Sequence, residues 1–442
     1  MRADSATPAP APGPDPSPGG IFEQWGGKLS AFLGYAHLSH DLTTGLLIAL
    51  LPFIRNDLHL NYFQAMALTS AYQITAGVAQ LLGGWVGDRI GGKRAIAIGL
   101  AGVGICTVAV GLNSHYWVIL AILVVQGVVS GCYHPSAAAA LSGAFEPARR
   151  GRVFALHMVG GSIGFLIGPS VGAAIAEGLS WHWTFIILGI PAIVAATVIM
   201  LRLRLPKTVR AAAPAAGVLA PEEVGGARGV GRAFRRVAIV VVPVVVLQLI
   251  VGPLMSSFAL FLVDKHQLTT GAAAMWITVV RAGGLIGSFL GGWLTDKWGR
   301  LQTIFLTLVL SGPSVYLLTA LPFSTLAGPE VRLLANLPIN SLLVAALVLY
   351  GVLGTVREGA MQTYLMDASP PRVRGTVFGI YFGVGQEGSS LIQPWAGSLM
   401  DSPAIGMNGV FNAIAIGSAA LSAAGLALLP VAFRKKQPVP QV

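Results

Sequence analysis

Charge is what this 442-residue sequence has least of: Asp, Glu, Lys and Arg make up 10% of it, where soluble domains carry about 25%. Water is thereby excluded as the main solvent of the fold. Cysteine is almost absent too. Cys106 and Cys132 both lie in apolar runs, which excludes a disulfide framework and a cysteine-based metal site, and they read as packing residues. Metal ligands and cofactors are not expected. Acidic residues number 17 against 28 basic ones, a net charge of +11. The bases are not interleaved with aromatics in a soluble patch, so no nucleic-acid partner is expected. No His-Glu-x-x-His or comparable constellation is present, which argues against an enzyme, and no soluble output domain is present, which argues against a sensor. The first twenty residues lack a basic leader and an apolar stretch. With Pro8, Pro10, Pro12, Pro14, Pro16 and Pro18, they read as a disordered tail and not as a cleaved signal peptide.

What is present is apolar length. Hydrophobic residues make up 54% and glycine contributes 56 positions, the composition of helices that pack closely within a bilayer. A window of about 19 residues gives twelve spans. Six lie near 32–54, 62–87, 94–113, 116–143, 152–177 and 182–203, and six near 237–262, 271–295, 301–321, 341–366, 375–400 and 407–432. The expected organisation is a disordered N-terminal tail over 1–30, a six-helix bundle over 31–204, a linker over 205–236, a second bundle over 237–433 and a tail over 434–442. If the N-terminus is cytoplasmic, 23 of the 28 Lys and Arg residues fall in inner segments and three, Arg55, Lys265 and Arg332, in outer ones. That bias predicts cytoplasmic termini and a cytoplasmic (inner) membrane location.

The two halves echo each other. Gly83-Gly84-Trp85-Val86-Gly87-Asp88-Arg89 follows the second span, and Gly291-Gly292-Trp293-Leu294-Thr295-Asp296-Lys297 follows the eighth. A second echo pairs Gly151-Arg152-Val153-Phe154 with Gly375-Thr376-Val377-Phe378. Repeated bundles of this kind hold a site between them near the midplane in many transporters.

With Gly91-Gly92-Lys93-Arg94 completing the loop after the second span, the chain resembles the major facilitator superfamily, twelve-helix type. The run Gly164-Phe165-Leu166-Ile167-Gly168-Pro169-Ser170-Val171-Gly172 is similar to the Gly-Pro motif of its drug:proton antiporters. Those antiporters place an Arg ahead of a Gln-Gly pair in helix 4; here Leu123 precedes Gln126-Gly127, so coupling through that Arg is excluded. The stretches His37-Leu38-Ser39-His40-Asp41 and Gly131-Cys132-Tyr133-His134-Pro135 resemble the fosmidomycin-resistance branch, which exports a phosphonate drug, although Ser136 stands where an acid is expected. The resemblance implies a monomer that works by alternating access on a small-molecule substrate. It also implies a cavity lined by Asp41, Tyr133, His134, Gln248 and Arg357, with Gln73 and Arg281 from helices 2 and 8, and a cytoplasmic gate at Asp88, Arg89, Arg149 and Asp296.

Ionisable residues at bilayer depth are costly and therefore functional candidates. Asp41 lies about ten residues into its span, roughly 15 Å deep. It is expected to take up and release a proton, with His37, four residues earlier on the same face, sharing it. In the second half, Arg281 or Arg357 is expected to hold an anionic group through a forked hydrogen bond, with Glu358 or Glu387 joining in proton coupling. A buried Arg-Glu network that never meets substrate is the equal alternative. Arg357 and Glu358, adjacent in sequence, are expected to point about 100° apart and not both straight down one cavity, so that one of them has a partner on another helix. The expected function is proton-coupled antiport of a small organic compound, anionic ones included. The alternative is uptake of an organic anion by proton symport.

Overall fold

The computed structural model describes residues 20–145, 147–202, 226–320, 341–368, 381 and 388–432. Most of the expected tails and linker, Glu387 and the second echo at 375–378 lie outside them. Among the described residues there are fourteen helices and no strand. They are α1 (Ile21–Gln24), α2 (Gly27–Asp57), α3 (Tyr62–Ile90), α4 (Gly92–Gly111), α5 (Tyr116–Ser130), α6 (Tyr133–Ala144), α7 (Pro147–Gly178) and α8 (Trp181–Arg202) in the first half. The second half holds α9 (Gly226–Asp264), α10 (Thr270–Trp298), α11 (Arg300–Ala320), α12 (Ser341–Ala368), α13 (Gly388–Asp401) and α14 (Gly406–Ala432).

Each expected span has a helix among the described residues, the eleventh only over Gly388–Asp401, with three differences. The first is that helix already begins at Ile21 and, for α2, at Gly27, inside the stretch expected to be a tail. The second is that α9 reaches back to Gly226, through the end of the expected linker. The third is that the fourth span is broken into α5 and α6 at Gly131-Cys132. Pro135 explains the break. Proline has no N–H for the carbonyl four residues earlier, and its ring collides with it. That carbonyl, on Gly131, points instead at Gly83 of α3, where a Cβ would have no room.

Ten spans are long and apolar enough to cross a membrane by composition. α3 has the length, 29 residues, but carries Thr69, Ser70, Gln73 and Gln80 towards the seam between the halves. The two pseudo-symmetric bundles meet along that seam through α3 with α13 and α7 with α10. Ala49, Ala173 and Ala274 form a fully buried patch across it, small side chains that let helices from both halves come close.

The sequence echo survives as structure. Arg89 lies over the Trp85 ring at 4.1 Å, and Lys297 over the Trp293 ring at 4.6 Å. Both tryptophans are more than half exposed, so at this end α3 and α10 stand free of the opposite half's described residues. At the other end, the halves are joined.

Candidate functional site

The first-half part of the site is built on α2. Spacing of four residues puts His37 and Asp41 on one face, and His37 Nε2 lies 3.1 Å from Asp41 Oδ2. The neighbouring His40 donates from Nδ1 to Asp41 Oδ1 at 2.8 Å and accepts at Nε2 from the Ser130 hydroxyl, 2.9 Å. His37 donates from Nδ1 to the His157 carbonyl, 2.9 Å. Its Nδ1 hydrogen is therefore spent, and the lone pair of a neutral Nε2 would face a carboxylate lone pair. That geometry suits a proton, or another cation, between them.

Glycines make the room. A Cβ on Gly161 would sit 2.6 Å from both Asp41 Oδ2 and His37 Nε2, and one on Gly164 2.5 Å from the Leu38 carbonyl oxygen. α7 can thus lie against α2 only because these positions carry no side chain. α7 also brings His157, whose ring stacks on His37 at 4.2 Å. From α6 comes His134, with Nε2 4.0 Å from Asp41 Oδ1 and a third of its side chain exposed.

A cavity of about 620 Å³ opens between the halves, and Asp41, His40, Ser130 and His134 stand on its first-half wall. Gln73 lines it from α3, held by the Gln393 amide at 2.8 Å. Gln248, Arg281, Arg357 and Glu358 line it from the second half. Arg357 donates to the Ser311 hydroxyl at 2.7 Å, and Glu358 accepts from Gln362 at 3.2 Å. Arg357 and Glu358 both border the cavity, and the partner on another helix is Ser311 of α11, bonded to Arg357. Arg281 forms no ion pair among the described residues; its guanidinium lies 5.0 Å from the Phe165 ring centre, across the seam. The carbonyl oxygen of Gln248 has no hydrogen-bond partner among the described residues.

Tyr133 is corrected as a lining residue. It is fully buried, stacked on the His40 ring at 4.7 Å, and forms the wall behind the site. His37 is also beneath the cavity surface, behind Asp41. His40 and His157 were missed as site residues. His40 was visible in the His-x-x-His-Asp string, whereas His157 gave no signal, because only packing of α7 on α2 brings it in.

The expected gate acids, Asp88 and Asp296, are exposed and form no ion pair among the described residues, as is consistent with an open end. Arg89 engages Trp85, and the Arg149 side chain lies outside the described residues. The contacts that join the halves are at the opposite end. There Asp264 accepts from Arg55 Nη1 at 2.9 Å and from the Tyr62 hydroxyl at 2.6 Å. Asp401 accepts the backbone N–H of Tyr62 and of Phe63, each at 2.9 Å. Deeper along the same seam, Ser70 donates to the Ser390 carbonyl and Thr69 to Gln393 at 3.0 Å. The cavity is thus closed at one end, and at the other no ion pair of Asp88 or Asp296 joins the halves among the described residues.

Two helical halves around a polar, one-sided cavity with a buried carboxylate at its wall define a polytopic membrane protein built for a central site. The sequence matches the Major Facilitator Superfamily over residues 33–394 and 244–441, and the chain belongs to that family. It is similar to the tetracenomycin C resistance and export protein of Streptomyces glaucescens, 29% identical over 34% of this chain and 28% of the relative. It is also similar to the fosmidomycin resistance protein of Escherichia coli K12, 21% identical over 81% of this chain and 84% of the relative. The first curated relatives are matched over only 24–28% of their own length. Among solved structures, a mutant of the nucleoside transporter NupG superposes with a TM-score of 0.72 at 15% identity, covering 91% of this chain and 99% of the other.

Proposed function

We propose that the chain is a proton-coupled secondary transporter that exports a small organic compound, anionic ones included, from the cytoplasm by alternating access. The observation that carries this reading is Asp41: a buried carboxylate at the wall of the central cavity, 3.1 Å from His37 Nε2, a pair placed to take up and release one proton. Loading and unloading that proton changes the charge the site presents, and so biases which side the cavity faces. The only other coupling participant required is the proton. The Lys and Arg bias supports cytoplasmic termini in the inner membrane and, with them, an inward-open state; the resemblance to the family supports a monomer. Names of two relatives, a resistance protein and a resistance and export protein, support efflux. Arg281, which forms no ion pair among the described residues, supports an anionic group on the cargo.

The test is the drug and metabolite-analogue sensitivity of cells expressing wild type or Asp41→Asn at matched levels, with phosphonates in the panel. Protection by wild type and loss of protection with Asp41→Asn is the expected result. Sensitisation by wild type would overturn export. Arg281 favours a second reading, uptake of an organic anion by proton symport, and that outcome would support it.

A further inference from the structure

Four of the chain's eight histidines, His37, His40, His134 and His157, gather around the single carboxylate of Asp41. Two of them are occupied: His40 between Asp41 and Ser130, and His157 donating from Nδ1 to the Leu33 carbonyl at 3.1 Å. The other two, His37 and His134, turn their Nε2 atoms towards that carboxylate. His37 Nε2, a carboxylate oxygen of Asp41 and His134 Nε2 all lie within 4.8 Å of one another. We propose that His37, Asp41 and His134 form a binding site for a borderline divalent transition-metal ion of the zinc type, reached through the central cavity.

Ligand separations carry the proposal first. Four-coordinate zinc at bond lengths of about 2.0–2.1 Å sets neighbouring ligand atoms roughly 3.3 Å apart. His37 Nε2 stands 3.1 Å from Asp41 Oδ2, already at that spacing, whereas His134 Nε2 stands 4.0 Å from the other oxygen, Oδ1. One atom from each residue lies within 4.8 Å of the others, so closing on an ion requires the one-third-exposed His134 side chain to move in. The second argument is the outer support. Metal-binding histidines characteristically donate their other N–H to a carbonyl or carboxylate, which fixes the tautomer. His37 does so to the His157 carbonyl, and His40 holds the Asp41 carboxylate in the same way. The third is access: Asp41 and His134 face the cavity, which leaves an open position for water or a chelating group on a solute. Two imidazoles with one carboxylate suit zinc, nickel or cobalt and disfavour calcium and magnesium, which take oxygen ligands.

Metal and proton exclude each other at this site. On binding, the ion takes the place of the proton between His37 and Asp41, and that proton leaves to solvent, so binding weakens as pH falls. His40, His157 and Tyr133 pack around the ligands, and Arg281 and Arg357 border the same cavity; their positive charge also opposes a cation.

The experiment is zinc binding by the full chain purified in detergent with a tag that contains no histidine, read by chelator competition without any gradient. One ion per wild-type chain is expected, with affinity lowered at least tenfold in His134→Gln and in Asp41→Asn, and unchanged in His182→Ala. Cobalt should give a tetrahedral visible absorption in wild type that His134→Gln abolishes, and elution as a single species on size exclusion shows that each variant is folded. No stoichiometric binding by wild type, or binding retained in both folded site variants, overturns the proposal. Because no transport is measured, failure here leaves the proton-coupled reading standing, and failure of coupling leaves the metal site standing.

Discussion

Asp401, at the end of α13, accepts the first two backbone N–H groups of α3, those of Tyr62 and Phe63, each at 2.9 Å. An acid of the second half therefore caps a helix of the first, where the positive end of the helix dipole favours it. Asp401→Asn should loosen this end by about 1 kcal/mol, roughly fivefold in the balance between open and closed. The check is labelling of a cysteine placed at Gln73 by an impermeant thiol reagent added from the sealed side. Faster labelling is expected, and an unchanged rate would mean that the cap does not hold the seam.

Gly161→Ala should abolish transport while leaving the bundle folded. The added methyl meets Asp41 and His37 at 2.6 Å, and overpacking of this size typically costs about 1–3 kcal/mol. The expected pattern is a lowered melting temperature in detergent, normal membrane insertion and more than tenfold slower transport. A fully active alanine variant would show that the close fit of α7 on the pair is not required.

Arg281→Lys should raise the half-saturating concentration for anionic compounds about tenfold or more, while neutral compounds are little affected. Lysine keeps the charge but loses the planar fork that grips a carboxylate or phosphonate. Competition assays with matched acid and amide analogues distinguish the two classes, and equal losses for both would assign Arg281 to the architecture.

His266, in the turn after α9, is the group outside the spans whose ionisation should be felt as stability. Burial, with a smaller contribution from the Lys265 cation, lowers its pKa from 6.5 to about 4. The folded state therefore holds fewer protons than the unfolded one between those values, and stability falls as pH drops from 6.5 towards about 4. In His266→Gln that part of the decline should disappear from thermal unfolding curves measured across this range. A variant whose pH profile overlays wild type would show that the ring is not the titrating group.

The span pattern was readable because the bilayer imposes it: roughly 20 apolar residues per crossing leave a periodic record in any such chain. Asp41 and Arg281 were readable for the same reason, as charges where charge is expensive. His157 was not. It lies eleven residues into α7, and only the glycines at 160, 161 and 164, which let α7 close on α2, make it a neighbour of His37. The Asp401 and Asp264 contacts were hidden similarly. Cues in the loop motifs directed attention to Asp88 and Asp296, whereas the groups that join the halves, Arg55, Tyr62, Asp264 and Asp401, sit at the opposite end, all but Tyr62 on other helices. The sequence predicts a fourth span running unbroken over 116–143, and the break at Gly131-Cys132, with Tyr133 in the wall and His134 at the cavity, is visible only in the structure.

The closed end also makes the molecule responsive to ionic strength. Arg55 and Asp264 keep 21% and 28% of their side chains exposed, so dissolved ions reach their bond, and screening acts over about 8 Å at 0.15 M. His37 and Asp41, 4% and 6% exposed, are out of reach of that atmosphere. Salt on the sealed side is thus expected to weaken this latch and to spare the buried His37–Asp41 pair, so the surrounding medium tunes how readily the halves part and leaves that pair as it is.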